Sequence, residues 1–295
     1  MGTAVFLVTG IAAFGAGCLA RSRYERDCLV TEEYRIASEK IHGQGKTIVF
    51  LTDLHNKEFG EENSRLLETV RKTKPDAVLF GGDGMVAKRG NSDVRIPLAL
   101  LTELAKEFPV YCGNGNHESR MVWKTDVYGE TYEHYRMALE DAGIRYLSNK
   151  AADLDSDIRI YGLDLPKSAY LPRSGEIPEG LLKETLGEPD PEKFCLLLAH
   201  SPLFFEEYAA WGADLTLSGH FHGGTIRLPL VGGVMTPQYQ FFYPRCAGYF
   251  ELPGKGREKS RMIVGRGLGT HSINIRLNDK PQVVVVRLCG ADTQQ

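Results

Sequence analysis

Hydrophobic residues along this chain fall into short runs that alternate with helical patterns. Five of these runs are rich in β-branched and aliphatic residues, and each is bounded by glycine or proline. Runs of this length and composition predict buried β-strands. They cover residues 46–52, 76–80, 108–112, 194–199 and 214–217.

Helical periodicity appears between the first two of these predicted strands. Residues 62–72 place Leu66, Leu67 and Val70 on one face, and Pro75 then ends the helix. Two more helices are predicted over residues 96–108 and 131–142. Alternation of strands with helices is typical of an α/β fold. Further strands follow at residues 159–163, 248–251, 261–264 and 282–287 with few helices between them, so pattern alone leaves α/β and α+β folds open.

Residues that bind metals or carry protons follow the predicted strands. The carboxyl ends of strands are where open α/β sheets place their ligand sites, and glycines there let the backbone turn closely. Five of the eight histidines fall in these segments. A single such histidine is usually a hydrogen-bonded core or loop residue, but five ordered segments make that interpretation a poor one. The segments are Asp53-Leu54-His55, Gly82-Asp83, Gly115-Asn116-His117-Glu118, His200 and Gly219-His220-Phe221-His222.

Carboxylate, amide and imidazole ligands together suit a pair of divalent first-row metals. In this order, D-x-H, G-D, G-N-H-E, H and G-H-x-H, the segments resemble those of the calcineurin-like metallophosphoesterases. The resemblance implies an α/β fold, a four-layer αββα sandwich of two mixed β-sheets with helices outside. It also implies phosphoester hydrolysis, in which two metals clamp the phosphate and supply a metal-bound hydroxide that attacks phosphorus.

The resemblance also assigns a role to each residue. One metal is bound by Asp53, His55 and His222, the other by Asn116, His200 and His220, and Asp83 bridges the two. His117 is expected to be catalytic, giving a proton to the leaving oxygen or stabilising charge in the transition state. Glu118 is expected to orient His117 or tune its pKa, and its alternative is a solvated loop carboxylate. The cofactors are two divalent metal ions, and mixed nitrogen and oxygen ligands accept manganese, iron or zinc.

Basic and aromatic residues near the motifs are candidates for substrate binding. Lys88, Arg89 and Arg120 each follow a metal motif closely and are candidates for holding phosphate, with solvated loop charge as the equal alternative. The aromatic segment 237–244 follows the last motif. It is expected to pack in the core or to form a wall against an apolar part of the substrate.

Composition narrows the class of protein. The chain has 295 residues, of which 42% are hydrophobic and 25% charged, with no evident linker or repeat. We therefore expect one catalytic domain over residues 24–295, with its core motifs within 47–223. The net charge of −3 gives no general electrostatic reason to expect nucleic acid as a partner. Six scattered cysteines indicate neither a disulfide framework nor a zinc finger.

The N-terminal segment differs from the rest of the chain. Residues 2–20 carry no charge and are about as long as a bilayer core is thick. Residues 1–23 are therefore expected to be a membrane anchor, with a cleaved signal segment as the alternative. Arg21, Arg23 and Arg26 follow the segment, which favours a catalytic domain on the cytoplasmic side of the membrane, although an extracytoplasmic position stays open.

Similarity extends beyond the metal motifs. Residues 223–229, 265–269 and 275–281 resemble a bacterial, membrane-anchored branch of the same family, and the likeness runs from about residue 24 to 290. Thr225 replaces the usual glutamine of that branch, which affects loop shape or substrate choice. The sequence therefore predicts a dinuclear phosphoester hydrolase whose substrate is amphiphilic, such as a UDP-2,3-diacylglucosamine-like pyrophosphate. The alternatives are a non-catalytic metal-binding scaffold of this fold, or a nuclease or general phosphodiesterase.

Overall fold

Two six-stranded mixed sheets form the centre of the fold in this computed structural model, which describes residues 2–172, 175–255, 259–270 and 273–291, with side chains from residue 9. In sheet I the spatial order is β1-β14-β2-β3-β4-β5, and the strands are β1 (Val30–Ser38), β2 (Lys46–Leu51), β3 (Ala77–Phe80), β4 (Val110–Cys112), β5 (Arg145–Tyr146) and β14 (Gln282–Gly290). Strands β2, β3, β4 and β5 run parallel, and β14 is antiparallel to β2.

Sheet II is also a mixed sheet of six strands. Its spatial order is β12-β13-β9-β8-β7-β6, and its strands are β6 (Lys150–Asp153), β7 (Ile158–Leu163), β8 (Phe194–Ala199), β9 (Leu215–Ser218), β12 (Gly248–Pro253) and β13 (Lys259–Val264). Strands β7, β8, β9 and β13 are parallel, while β6 and β12 are antiparallel edges. A small hairpin pairs β10 (Arg227–Leu228) with β11 (Gly232–Gly233).

Helices cover the outer face of each sheet. The helices in the described residues are α1 (Gly2–Glu25), α2 (Ser64–Thr73), α3 (Arg95–Ala105), α4 (Asn116–Trp123), α5 (Thr125–Tyr128), α6 (Thr131–Asp141), α7 (Leu181–Leu186) and α8 (Phe205–Trp211). Helices α2, α3, α4 and α6 pack against sheet I, and α7 and α8 pack against sheet II. The predicted α/β fold with four layers is confirmed.

Strand periodicity explains how the layers hold together. In β2, Val49 points to the helices on sheet I, whereas Ile48 and Phe50 join the core between the sheets. Leu196 and Leu198 of β8 enter that inter-sheet core from the other side. Both faces of these strands are buried, because successive side chains point in opposite directions and each sheet is covered on both sides.

Most predicted elements are confirmed with small shifts at their ends. The helix expected over 62–72 is α2, and Leu66, Leu67 and Val70 are buried on its inner face. The helices expected over 96–108 and 131–142 are α3 and α6, each slightly shorter. Helix α4 was not predicted, because its first turn is the metal motif itself.

The N-terminal helix requires a correction. Among the described residues, no helix combines the length and the apolar character needed to cross a membrane. The membrane-associated localisation expected from residues 2–20 is therefore wrong. The expected position of the catalytic domain on one side of the membrane depended on that localisation, so it is withdrawn as well. Four glycines and two threonines in this stretch dilute its apolar character. The proposed division into residues 1–23 and 24–295 stays a prediction.

The end of α1 is part of the folded structure. Ser22 and Glu25 are buried, and both accept hydrogen bonds from the loop before β14. The Arg276 backbone N–H donates to Ser22 Oγ at 3.0 Å, and the Asp279 N–H donates to Glu25 Oε2 at 3.3 Å.

Candidate metal centre

Parallel strands from both sheets end at the same edge of the sandwich. Asp53 and His55 follow β2, Asp83 follows β3, and Asn116 begins α4 just after β4. His200 follows β8 in sheet II. Backbone bonds join these ends: the Asp53 N–H donates to the Gly82 carbonyl and the His55 N–H to the Asp83 carbonyl, each at 3.0 Å.

The first group of possible metal ligands is Asp53, His55 and His222, all buried. His222 Nε2 lies 3.1 Å from His55 Nε2 and 3.5 Å from Asp53 Oδ1. His55 Nε2 lies 3.8 Å from Asp53 Oδ1. Two donors that each stand about 2.1 Å from one ion are about 3–3.5 Å apart, so this spacing fits a shared cation.

The second group is Asp83, His200 and His220, which are also buried. His200 Nε2 lies 3.3 Å from Asp83 Oδ2. Asp83 Oδ2 is also 3.7 Å from His55 Nε2, so this carboxylate stands between the two groups. Its Oδ2 stands near a nitrogen of each group, so this carboxylate is placed to bridge two ions.

Buried donor atoms without partners indicate what this centre would hold. Asn116 Oδ1, Asp83 Oδ2 and His200 Nε2 are buried, and none of the three has a hydrogen-bond partner among the described residues. Buried polar atoms are normally paired, because leaving one unpaired costs about 1–3 kcal/mol. Two divalent ions would satisfy all three atoms, so the residues present fit a dinuclear metal site.

Carbonyl groups orient two of the imidazoles. His200 Nδ1 lies 2.8 Å from the Gly81 carbonyl, and His222 Nδ1 lies 3.2 Å from the Gly269 carbonyl. A carbonyl only accepts, so each Nδ1 carries the hydrogen, and the lone pair of the neutral ring is at Nε2. Both rings therefore point a metal-binding nitrogen at the carboxylates, which is the usual arrangement around protein metals.

Electrostatics also favour a cation here. The carboxylates of Asp83 and Asp53 outweigh the effect of burial and raise the pKa of His200 to about 10. Burial raises the pKa of Asp53 to about 6, and the nearby charge of Asp83 adds to this. For Asp83 itself, burial is outweighed by His200, His117 and His55, which hold its pKa well below the usual range. The carboxylates thus favour positive charge at this point, which either a proton on His200 or a bound cation would supply.

Unusual backbone geometry accompanies these residues. Asp53, His55, Asp83, His220 and His222 all have positive φ angles, between 47° and 67°. Few residues other than glycine adopt this left-handed conformation, and it is concentrated at functional sites. Close approach also requires glycine at two positions: a Cβ at Gly115 would collide with the Asp83 carboxylate, and one at Gly219 with that of Asp53.

His117 is held beside the donor groups. Its backbone N–H donates to Asp83 Oδ1 at 2.8 Å, and its Nδ1 accepts from the Ala87 N–H at 2.8 Å. With Nδ1 acting as an acceptor, the hydrogen of the neutral ring is at Nε2. The ring lies 5.1 Å from that of His55, nearly perpendicular to it. His117 is thereby set to present an N–H toward the centre.

Glu118 fastens the two loops that carry Asp83 and Asn116. It is 1% exposed, and its carboxylate accepts from the backbone N–H groups of Asp83, Gly84 and Gly115 at 2.8, 2.8 and 3.0 Å. Burial, followed by the charge of Asp83, raises the pKa of Glu118 to about 7. The solvated alternative is therefore wrong. Its influence on His117 runs through the loop backbone, and the effect on the pKa of His117 stays a prediction.

The three candidate phosphate-binding residues share one cavity. Lys88, Arg89 and Arg120 line a cavity of about 580 Å³ whose wall includes Asn116. Arg120 Nη1 donates to the Ala87 carbonyl at 3.0 Å, which ties α4 to the loop bearing the other two.

The aromatic segment 237–244 lies outside the core. Tyr239, Phe241 and Phe242 are 60%, 64% and 52% exposed, so the expectation of core packing is wrong for these rings. Gln238 is buried and donates to the Ala169 and Leu171 carbonyls at 3.1 and 3.0 Å. Leu171 lines the cavity described above, so Gln238 ties the start of the aromatic segment to its wall.

Sequence reasoning missed two residues at this centre. Arg276 is 1% exposed and donates to the Gly269 carbonyl at 2.7 Å, the same oxygen that orients His222. Tyr170 places its ring 5.1 Å from that of His220 in an edge contact. Neither residue belongs to a metal motif: Arg276 lies in the segment 275–281 that resembles the bacterial branch, which assigns it no role, and no local signal singles out Tyr170.

Comparisons with known proteins agree with this geometry. The family model described as calcineurin-like phosphoesterase matches residues 46–224. The chain is 29% identical over 293 residues to the uncharacterized metallophosphoesterase YkuE of Bacillus subtilis, covering 96% of this chain and 93% of the relative. It is 30% identical over 267 residues to the phosphodiesterase YaeI of Escherichia coli, covering 86% of each chain.

A more distant relative extends the range of named activities. The UDP-2,3-diacylglucosamine pyrophosphatase LpxG of Chlamydia muridarum is 20% identical over 307 residues, covering 86% of this chain and 87% of the relative. The predicted enzyme class, a hydrolase of phosphoester bonds, is confirmed by the family match and the activities of these relatives. This chain belongs to the calcineurin-like phosphoesterase family.

Proposed function

We propose that this enzyme hydrolyses phosphoesters at two divalent metal ions. Asp53, His55 and His222 hold one ion, Asn116, His200 and His220 hold the other, and Asp83 bridges them. The observation that carries the proposal is the position of Asp83 Oδ2, 3.3 Å from His200 Nε2 and 3.7 Å from His55 Nε2. Manganese, iron and zinc all suit this mixed set of nitrogen and oxygen donors.

The chemistry is shared between the metals and the chain. Two bound ions supply positive charge for the phosphate oxygens and lower the pKa of a water molecule. His117 holds a proton at Nε2 and gives it to the leaving oxygen. Its orientation depends on the Ala87 N–H at Nδ1, since that bond fixes which nitrogen carries the proton. Glu118 keeps the Asp83 and Asn116 loops in register by its three backbone bonds.

The substrate combines a phosphoester with an apolar part. Lys88, Arg89 and Arg120 bind the phosphate from the cavity beside Asn116. The exposed rings of Tyr239, Phe241 and Phe242 offer apolar surface on the segment that Gln238 ties to Leu171 in the wall of that cavity. The named activity of LpxG, on a diacylated sugar nucleotide, supports an amphiphilic substrate of this kind.

Reconstitution with metals tests the proposed function. The purified protein is stripped with a chelator and reloaded with Mn²⁺, Fe²⁺ or Zn²⁺, and hydrolysis of bis(p-nitrophenyl) phosphate and p-nitrophenyl phosphate is measured. We expect no turnover without metal and two ions per chain when the enzyme is active. Asp83→Asn removes a charge and an oxygen from the bridge, so it should abolish turnover and release at least one ion.

The matched control is Asp141→Asn, which changes an exposed carboxylate on α6 and should leave metal content and rate unchanged. Two tightly held ions in an active Asp83→Asn protein would contradict the bridging role. Full activity of the stripped protein would contradict the proposed function as a whole.

A further inference from the structure

The cavity beside Asn116 has a second basic wall that lies farther from the metal ligands. The end of α4 and the short helix over residues 167–170 face each other across it. Their contact is made by Trp123 and Tyr170, whose rings lie 6.2 Å apart. Lys124, which follows the last residue of α4, and Lys167, the first residue of the short helix, both line the cavity.

Charge in this cavity has one sign. Five basic side chains and no acidic side chain are among the described residues that line it. Within the described ranges, no ion pair engages Lys88, Arg89, Lys124 or Lys167. Other surface lysines of this chain do pair with carboxylates, as Lys72 does with Glu68 and Lys106 with Glu103. A group of unpaired cations around one concave surface is a binding site for anions.

Helical spacing separates the basic groups by distance from the metal ligands. Asn116 and Arg120 are four residues apart, so they lie on one face of α4 about 6 Å apart, and Lys124 follows at the C-terminal cap, where the backbone leaves the helical conformation. Arg120 can reach a phosphate held at Asn116. Lys124 stands about 12 Å from Asn116 along the helix axis, where a single phosphate at the metals does not extend.

We propose that Lys124 and Lys167 bind a second phosphate of the substrate, which makes the preferred substrate an organic diphosphate. This inference rests on the proposed function, because it takes the reacting phosphate to lie at Asn116 and the metal ligands. Trp123, Val127 and Leu171 are partly exposed around the same wall and contact the organic part beyond the second phosphate. Hydrolysis of the P–O–P link consumes one water, whose hydroxyl joins one phosphorus and whose proton ends on the other phosphate.

A pair of inhibitors that differ by one phosphate group tests the inference. AMP and α,β-methylene-ADP are compared as inhibitors of bis(p-nitrophenyl) phosphate hydrolysis by the Mn²⁺-loaded enzyme, with excess Mn²⁺. The variant is Lys124→Gln/Lys167→Gln, and the control is Lys72→Gln/Lys106→Gln on exposed parts of the outer helices. Removal of one cation about 4 Å from a phosphate weakens binding about five-fold in water.

We expect α,β-methylene-ADP to inhibit the wild type more strongly than AMP does. The cavity variant should weaken inhibition by α,β-methylene-ADP about 25-fold, the product of two such losses. Inhibition by AMP should change less than about two-fold, and the control should match the wild type. Removal of Mn²⁺ by the inhibitor would affect all proteins alike, so it cannot imitate this pattern.

Three outcomes would overturn the inference: equal inhibition of the wild type by the two compounds, equal losses for both in the cavity variant, or no loss for either. Absence of any metal-dependent hydrolysis is a different result, because it rejects the proposed function. In that case the affinities of AMP and α,β-methylene-ADP are measured by calorimetric titration into the Mn²⁺-loaded proteins. The same differences between the two compounds, and between the wild type and the cavity variant, are then expected in affinity.

Discussion

Removal of the Glu118 carboxylate should destabilise the whole metal-ligand edge of the fold. This side chain accepts three backbone hydrogen bonds from the loops that carry Asp83 and Asn116. Hydrogen bonds to a charged group contribute about 1.5–3 kcal/mol each. Burial opposes ionisation, and together with the charge of Asp83 it raises the pKa of Glu118 to about 7 even with these hydrogen bonds in place.

The balance predicts different losses for two substitutions at pH 8, where the carboxylate is ionised. Glu118→Ala leaves three buried N–H groups without an acceptor, so it should lower the free energy of unfolding by about 3–5 kcal/mol. Glu118→Gln keeps one acceptor oxygen and turns an amide N–H₂ toward the remaining donors. Its loss should be about 1–3 kcal/mol.

Urea denaturation of the metal-free proteins measures both losses. Glu133→Gln on α6 is the control, because that carboxylate is more than half exposed and pairs only with Arg136 at the surface. The metal content of each variant is then measured after reloading, and Glu118→Ala should hold less metal than Glu118→Gln. If Glu118→Ala unfolds within about 1 kcal/mol of the wild type and keeps two ions, the carboxylate does not fasten the loops.

Two further substitutions separate the roles of residues around the metal ligands. His117→Ala should keep its metal but lose about 10²–10⁴-fold in rate, the usual effect of one general acid. The loss should be smaller for nitrophenyl esters, because their leaving group needs no proton. Equal losses for good and poor leaving groups would contradict the role of His117 as an acid. Arg276→Lys cannot reproduce the hydrogen bonds to the Gly269, Arg266 and Asp279 carbonyls. A chelator titration should therefore show about 10–100-fold weaker metal binding. Unchanged metal affinity would show that His222 is oriented without Arg276.

Much of this architecture can be predicted from sequence, because its central strands are buried on both faces. Such strands appear as continuous apolar runs, and the ligand residues follow them directly. The predicted strands ending before Asp53, Asp83 and His200 are present in the structure as β2, β3 and β8. The ends of these strands also place the ligand residues at one edge of the sandwich. The sequence therefore predicts that these residues lie close together.

Other features depend on contacts between distant parts of the chain. Arg276 lies in a segment that resembles the bacterial branch, but only the folded loop brings its side chain to the Gly269 carbonyl. Composition left the aromatic segment either in the core or as a wall against the substrate, and the exposure of its rings depends on how the loop is held at Gln238. The prediction for the N-terminal helix was wrong because an uncharged stretch of sufficient length is not necessarily apolar enough to cross a membrane.

The left-handed backbone of the candidate ligands has a consequence for stability. Each such residue costs roughly 1–2 kcal/mol, so the five together cost about 5–10 kcal/mol, which is comparable to the whole stability of an ordinary domain. Metal ions bind only the folded arrangement, and one ion at 100 times its dissociation constant adds about 2.7 kcal/mol. Two ions should therefore raise the unfolding midpoint by about 10 °C. Calorimetry of stripped and reloaded protein measures this. Asp83→Asn should lose most of the gain and Asp141→Asn none of it, whereas equal midpoints for stripped and reloaded wild type would show that these residues do not hold metal.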